Sequence, residues 1–211
     1  MDSKWQDFTM KSLFNKVDWN DILYVGFDMD GTLYAEYDFI RKVYSEISKL
    51  LDPNSLNYMI SRWLEKGSSY PFIFSEAYDL YNVSERNKET FINDALNIFR
   101  NFDPNIKLKK EVIEMLIYFR KNYEIFLITD GNIELQKKKF TSLGLEAFFS
   151  PKNIFFTGVD SKVFAKPSPE SLKFLSINPK KSIFFGDRDV DREFSINCKM
   201  QFQKVKVMDI V

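Results

Sequence analysis

The stretch from Ile22 to Tyr34 constrains the fold of this chain more than any other. An apolar run, Ile22 to Phe27, ends abruptly at two carboxylates, Asp28 and Asp30. The run has the length and the β-branched and aromatic content of a buried strand. Because burying an isolated carboxylate is costly, acids that end such a strand are expected at its mouth. The stretch therefore predicts a strand that delivers two acids to a site, the alternative being a strand followed by an ordinary acidic turn.

A long helical segment follows this strand. From Asp38 to about Phe102 apolar residues recur at helical spacing, and Asp-Pro pairs interrupt the pattern at Asp52 and Asp103. No strand pattern occurs within the segment. We therefore predict a helical domain over residues 37–103, inserted into a second domain made of residues 1–36 and 104–211.

After Pro104 short apolar strands alternate with helices. Strands are predicted at residues 125–128, 154–156 and 182–185, with a last one near Val205–Met208. The intervening helices are predicted at residues 109–123, from the end of the loop at Asn132 to Leu143, at 168–176 and at 189–197, and residues 1–20 favour a short amphipathic helix. The alternation predicts an α/β fold, a Rossmann-like and mostly parallel sheet with helices on both faces.

Composition excludes several classes of function. The chain has no histidine, which removes histidine-dependent triads and His-Cys zinc sites. Lys plus Arg and Asp plus Glu are both 30, so neither nucleic acid nor a membrane surface is an expected partner. The run Lys137-Lys138-Lys139 is interpreted as a solvated helix face.

The location of the protein is predicted to be cytoplasmic. The single cysteine, Cys198, excludes an intrachain disulfide and favours a reducing compartment. The first 20 residues resemble neither a signal peptide nor a membrane-spanning segment, and no later stretch is apolar for long enough to span a bilayer.

Polar residues end three of the predicted strands. Asp28 and Asp30 follow the first strand, Thr129 and Asp130 the second, and Asp187 a later one, with Asp191 nearby. Because the carboxyl ends of parallel strands share one edge of a sheet, these side chains are expected to converge. A cluster of aspartate oxygens suits a hard cation, and Mg²⁺ is the first choice.

The same edge has the groups of a phosphate site. Gly31 and Gly131 allow backbone N–H groups to approach an anion, Thr129 offers a hydroxyl, and Lys166 is placed to reach the same edge. An EF-hand loop starting at Asp28 fails on spacing, and the sequence has no phosphate-binding P-loop. A nucleotide-sugar transferase also places an Asp-x-Asp pair after a strand, but this alternative leaves the other polar residues unexplained.

Taken together, these motifs resemble the haloacid dehalogenase superfamily of phosphohydrolases. The resemblance spans about residues 22–208 and rests on four motifs in the same order, which are Asp28-Met29-Asp30-Gly31-Thr32, Thr129, Lys166-Pro167, and Gly186-Asp187 with Asp191. Aspartate two residues after the first acid resembles the phosphatases of the superfamily rather than its dehalogenases. The helical insertion resembles the cap that family members carry after the first motif.

The resemblance implies a role for each residue. Asp28 is the expected nucleophile, which forms an aspartyl-phosphate, and Asp30 is the expected general acid and base. Mg²⁺ is expected on Asp28, on the backbone carbonyl of Asp30 and on Asp187, with Asp191 binding through water or supporting the ligands. The phosphate-binding set comprises Thr129, Asp130, Gly131 and Lys166.

The function predicted from the sequence is a Mg²⁺-dependent phosphatase. Its expected substrate is a small phosphorylated metabolite, of the sugar phosphate or nucleotide class. The alternatives are a phosphomutase of the β-phosphoglucomutase type and a non-catalytic relative that uses the cap for protein binding. The lack of histidine disfavours the mutase, and the complete set of motif residues disfavours the non-catalytic relative. The sequence leaves open which phosphorylated substrate is used and whether the protein is a monomer or a homodimer.

Overall fold

The chain forms two compact units. The computed structural model describes residue 14 and residues 17–83 and 86–205, so most of the helix predicted at residues 1–20 lies outside it. One unit comprises Glu36–Asn105, and the other comprises the described residues up to Ala35 and from Ile106 onward. The sequence analysis places the insertion at residues 37–103. That this segment acts as a cap remains a prediction.

The unit Glu36–Asn105 contains helices and no strand among its described residues. Its helices are α1 (Glu36–Ser48), α2 (Ser55–Lys66), α3 (Ile73–Tyr81) and α4 (Lys88–Asn101). Phe39, Met59 and Phe91, from three of these helices, are fully buried. The unit therefore buries an apolar face from each of these helices, as amphipathic helices do when they pack together.

The second unit is built on a parallel sheet. Its strands, among the described residues, are β1 (Tyr24–Phe27), β2 (Glu124–Thr129), β3 (Ile154–Phe156), β4 (Ser182–Gly186) and β5 (Gln201–Lys204). Their order across the sheet is β3-β2-β1-β4-β5, and every neighbouring pair is parallel. Phe27 at the end of β1 aligns with Leu127 and Phe185. The carboxyl ends of β1, β2 and β4 therefore meet at one edge.

Helices cover both faces of this sheet. They are α5 (Lys110–Asn122), α6 (Ile133–Ser142), the single turn α7 (Ser161–Phe164) and α8 (Asp189–Cys198). Successive side chains of β4 point to opposite faces: the ring of Phe184 lies 5.2 Å from Phe194 of α8, and that of Phe185 lies 5.4 Å from Phe119 of α5. The predicted fold class, a Rossmann-like α/β sheet, is therefore confirmed.

Two predicted elements differ from the structure. Residues 168–176 contain a short 3₁₀ helix, Pro169–Phe174, in place of the predicted α-helix. The last strand lies at Gln201–Lys204, before the range predicted from Val205 to Met208, of which only Val205 is described. This strand reads Gln-Phe-Gln-Lys and is partly exposed at the sheet edge, so its apolar pattern is weak. No described helix is long and apolar enough to cross a membrane.

Candidate active site

The predicted site residues lie at the carboxyl edge of the sheet. Asp28 directly follows β1, Thr129 is the last residue of β2, and Asp187 directly follows β4. Asp191 lies in the first turn of α8, where its side chain accepts a hydrogen bond from the backbone N–H of Arg188 at 3.0 Å. The parallel topology therefore brings together residues that are far apart in the chain.

Lys166 joins two of these acids in a fully buried ion-pair cluster. Its ammonium donates to Oδ1 of Asp28 and to Oδ1 of Asp191, each at 2.5 Å. The side chains of Lys166 and Asp191 are completely buried, and that of Asp28 is 1% exposed. Because charges this deeply buried are tolerated only when paired, the lysine is a structural requirement of the cluster as well as a candidate ligand for anions.

Burial changes the proton affinity of the cluster. It raises the pKa of Asp28 to about 8, although the charge of Lys166 opposes the shift. It also raises the pKa of Asp187 to about 6, opposed by Arg188. For Lys166 burial lowers the pKa, but the charges of Asp28 and Asp191 outweigh burial and the net shift is upward. The site therefore holds more negative charge than its lysine balances, and a further cation would favour the ionised acids.

Three acids form a group with the geometry of a cation site. Oxygen atoms of Asp28, Asp187 and Asp191 all lie within 4.8 Å of one another. Among the described residues, Oδ2 of Asp28 and Oδ1 of Asp187 are buried without a hydrogen-bond partner. Nε of Arg188 lies 4.0 Å from the latter oxygen. Buried carboxylate oxygens without a hydrogen-bond partner are donors of the kind that Mg²⁺ prefers, so the residues of this cluster fit such an ion.

Glycines allow close packing around these acids. Gly31 has a φ of +79°, and a Cβ atom there would lie 2.5 Å from Oδ2 of Asp187. A Cβ atom on Gly186 would lie 2.4 Å from the Cβ of Asp191. Since carboxylate and backbone approach closely at both positions, any larger residue would displace a member of the acid cluster.

The side chain of Asp30 lies in a different environment from the other acids. It accepts hydrogen bonds from the Tyr34 hydroxyl, from Nε2 of Gln136 at 2.5 Å and from Nζ of Lys139 at 2.6 Å. Burial raises the pKa of Asp30, but the charge of Lys139 and these hydrogen bonds outweigh it, and the net shift is downward. The Asp30 carboxyl is therefore held apart from the three-acid cluster. The backbone carbonyl of Asp30 remains a predicted ligand of the cation.

The interpretation of Lys137-Lys138-Lys139 as a solvated helix face is wrong for its last member. Lys137 and Lys138 are exposed, whereas Lys139 is buried and paired with Asp30. A signal for this was present in the sequence, because Gln136 and Lys139 lie three residues apart on the helix face that buries Phe140. Sequence reasoning nevertheless assigned neither Gln136 nor Lys139 to the site.

The predicted phosphate-binding residues surround the same edge. The Thr129 hydroxyl oxygen accepts a hydrogen bond from Nε2 of Gln136 at 3.0 Å, which leaves its own hydrogen for another acceptor. The carboxylate of Asp130 accepts from the hydroxyl of Thr157 at 2.9 Å and from the backbone N–H of Lys166 at 3.2 Å. Its side chain therefore fixes the loop that carries Lys166. Gly131 is exposed beside it, with a φ of +121°.

Fold and site together define the class of the protein, a Rossmann-like α/β protein with a carboxylate cluster and a buried lysine at the carboxyl edge of its sheet. The sequence profile of haloacid dehalogenase-like hydrolases matches residues 25–205. The chain therefore belongs to this family of hydrolases, and the resemblance seen in the sequence is confirmed. No curated protein matches the chain in sequence.

Several solved structures share this fold. A protein from Haemophilus somnus described as a predicted phosphoglycolate phosphatase is 19% identical, with a TM-score of 0.62 over 92% of each chain. YfnB from Bacillus subtilis, described as a HAD-hydrolase bound to magnesium, is 16% identical, with a TM-score of 0.64 over 86% of this chain and 85% of its own. A protein from Thermotoga maritima described as a predicted β-phosphoglucomutase is 18% identical, with a TM-score of 0.63 over 89% of this chain and 90% of its own. At these identities the comparisons show a shared fold.

Proposed function

We propose that the protein is a Mg²⁺-dependent phosphatase that hydrolyses a small phosphomonoester through an aspartyl-phosphate on Asp28. The observation that carries the proposal is the buried pair of Asp28 and Lys166 beside two orphaned carboxylate oxygens. An anionic nucleophile attacks an anionic ester only where positive charge offsets the repulsion. Lys166 supplies one such charge, and the acid cluster is suited to hold a second.

The proposed cation ligands are Asp28, Asp187 and the backbone carbonyl of Asp30. Asp191 is proposed to act indirectly, because Lys166 and the backbone N–H of Arg188 already occupy its two oxygens. Bound Mg²⁺ would neutralise negative charge on the phosphoryl oxygens and favour the ionised form of Asp28.

In the first proposed step, a carboxylate oxygen of Asp28 attacks phosphorus and the bond to the ester oxygen breaks. Asp30 donates a proton to that oxygen, so the alcohol leaves neutral. Because Lys139 and the hydrogen bonds lower the pKa of Asp30, the step uses the less populated, protonated form of this carboxyl. Thr129 and Lys166 hold the phosphoryl oxygens during the transfer. In the second step, a water molecule attacks phosphorus while Asp30 accepts a proton from that water. The bond between phosphorus and the Asp28 oxygen breaks, which releases inorganic phosphate and restores the Asp28 carboxylate.

The substrate is proposed to be a small phosphorylated metabolite of the sugar phosphate or nucleotide class. We assign the role of cap to the helical unit, as the family resemblance implies. The equal numbers of acidic and basic residues support the proposal that neither nucleic acid nor a membrane is a partner. A panel of sugar phosphates and nucleoside monophosphates, assayed for released phosphate, identifies the class.

The decisive experiment measures hydrolysis of p-nitrophenyl phosphate with Mg²⁺ and with a chelator. We expect activity that requires the cation and is lost in Asp28→Asn. The matched control is Asp189→Asn, because Asp189 is 86% exposed and follows Asp187 by two residues. An activity that survives Asp28→Asn, or its absence with every divalent ion tested, contradicts the proposal. Formation of an isomeric phosphate ester without phosphate release would instead identify a mutase.

A further inference from the structure

The carboxyl group of Asp30 is held on both oxygens by side chains that the proposed steps do not use. Oδ1 accepts from the hydroxyl of Tyr34 and from Nζ of Lys139, and Oδ2 accepts from Nε2 of Gln136. A carboxyl that is bound at only one oxygen can rotate about that contact. Donors on both oxygens restrict this rotation and fix the direction in which a proton can be given or taken.

The burial of the Lys139 ammonium group costs free energy unless a carboxylate compensates for it. Its side chain is 5% exposed and that of Asp30 is 13% exposed. Removing an ammonium group from water is unfavourable, and a paired carboxylate compensates only when the geometry is good. The separation of 2.6 Å meets that condition. Lys138, the preceding residue on the same helix, is exposed, so burial is specific to the lysine that faces Asp30.

Gln136 connects Asp30 to the proposed phosphate site. Its amide nitrogen lies 2.5 Å from Oδ2 of Asp30, 3.0 Å from the hydroxyl oxygen of Thr129 and 2.5 Å from the backbone carbonyl oxygen of Asp130, so its two hydrogens are shared among three acceptors. The amide group of Gln136 therefore fixes the position of the Asp30 carboxyl relative to the Thr129 hydroxyl, which would bind the phosphoryl group. We propose that Gln136 and Lys139, adjacent on one face of α6, are positioning residues that orient the Asp30 carboxyl toward the ester oxygen. This inference rests on the proposed phosphatase function.

The proposal has a kinetic consequence that depends on the leaving group. An alkoxide is a poor leaving group and needs the proton of Asp30, whereas nitrophenolate leaves without one. Misorienting Asp30 should therefore slow hydrolysis of an alkyl phosphate much more than that of p-nitrophenyl phosphate. A merely structural role for Lys139 would slow both by the same factor.

The test compares Lys139→Met and Lys139→Arg with the matched control Lys138→Met. For Lys139→Met we expect kcat for the best alkyl phosphate of the substrate panel to fall about 10- to 100-fold, with KM and the nitrophenyl reaction much less affected. Lys139→Arg should recover most of the loss, because arginine restores a charged donor, and the control should match the wild type. In an Asp30→Asn background, Lys139→Met should cause no further loss.

A second measurement tests the contact without catalysis. The carbon-13 signal of the Asp30 carboxyl, assigned by its loss in Asp30→Asn, should shift in Lys139→Met and stay unchanged in Lys138→Met. The positioning role would be overturned by equal losses of activity on both esters or by a gain of activity on the alkyl ester. It would also be overturned by additive losses in the double variant or by an unshifted carbon-13 signal. If the wild type hydrolyses no phosphomonoester, the proposed function itself fails, while the carbon-13 comparison still decides whether Lys139 holds Asp30.

Discussion

Replacing Lys166 with methionine removes the one lysine of the buried cluster while keeping a side chain of similar length. In the native protein its ammonium contacts Asp28 and Asp191 at 2.5 Å, and the lysine side chain is fully buried. The variant therefore leaves two buried carboxyl groups without this cation, and methionine cannot donate a hydrogen bond to either.

The expected cost follows from this burial. Breaking a buried ion pair by removing one partner destabilises a protein by about 3–5 kcal/mol, because the remaining charge stays out of water. Protonation of the carboxyls relieves the cost, and burial already raises the pKa of Asp28 to about 8. The deficit relative to the wild type should therefore be larger at pH 9 than at pH 7, since Asp28 ionises in this interval and the lysine interacts most strongly with an ionised carboxylate.

Urea unfolding in a chelator, followed by circular dichroism, measures the effect. A loss of this size corresponds to a midpoint lower by about 1–2.5 M, for a urea dependence of about 2–3 kcal/mol per M. The control is Lys173→Met, because Lys173 is 69% exposed and pairs with Glu170, itself 40% exposed. Exposed pairs contribute about 0–1 kcal/mol. A Lys166→Met variant no less stable than this control would refute the reasoning.

Three further predictions concern the acids. Burial raises the pKa of Asp28 to about 8 and that of Asp187 to about 6. Between about pH 4 and pH 8 the unfolded chain therefore loses these protons while the folded protein still holds them, so the metal-free protein should become less stable as the pH rises. Mg²⁺ should thus raise the melting temperature more at pH 8 than at pH 5, and an equal rise at both would contradict this. Gly186→Ala should displace Asp191 and thereby weaken Mg²⁺ binding, as measured by calorimetry. An unchanged affinity for Mg²⁺ would disprove this prediction. Asp30→Asn should lose more activity on alkyl than on nitrophenyl phosphate, and equal losses would argue against its role as an acid.

Local patterns were sufficient to predict most of the α/β unit. The run before Asp28 reads as a buried strand because burial requires apolar residues, and β1 occupies Tyr24–Phe27 within it. The same reasoning located β2, β3 and β4. It was weaker at β5, a partly exposed edge strand, and at Pro169–Phe174, where a short 3₁₀ helix has too few residues to show a helical period.

The sequence by itself determined which acids end the strands and which family the chain resembles, because both depend on neighbouring residues and on the order of motifs. Tertiary structure alone decided the pairing of the charges. Asp28 and Lys166 are 138 residues apart, and Asp30 and Lys139 are 109 residues apart. A lysine that follows two others in sequence looks solvated until a helix turns it inward. Burial then makes its pairing with a carboxylate a physical necessity, which no local pattern could reveal.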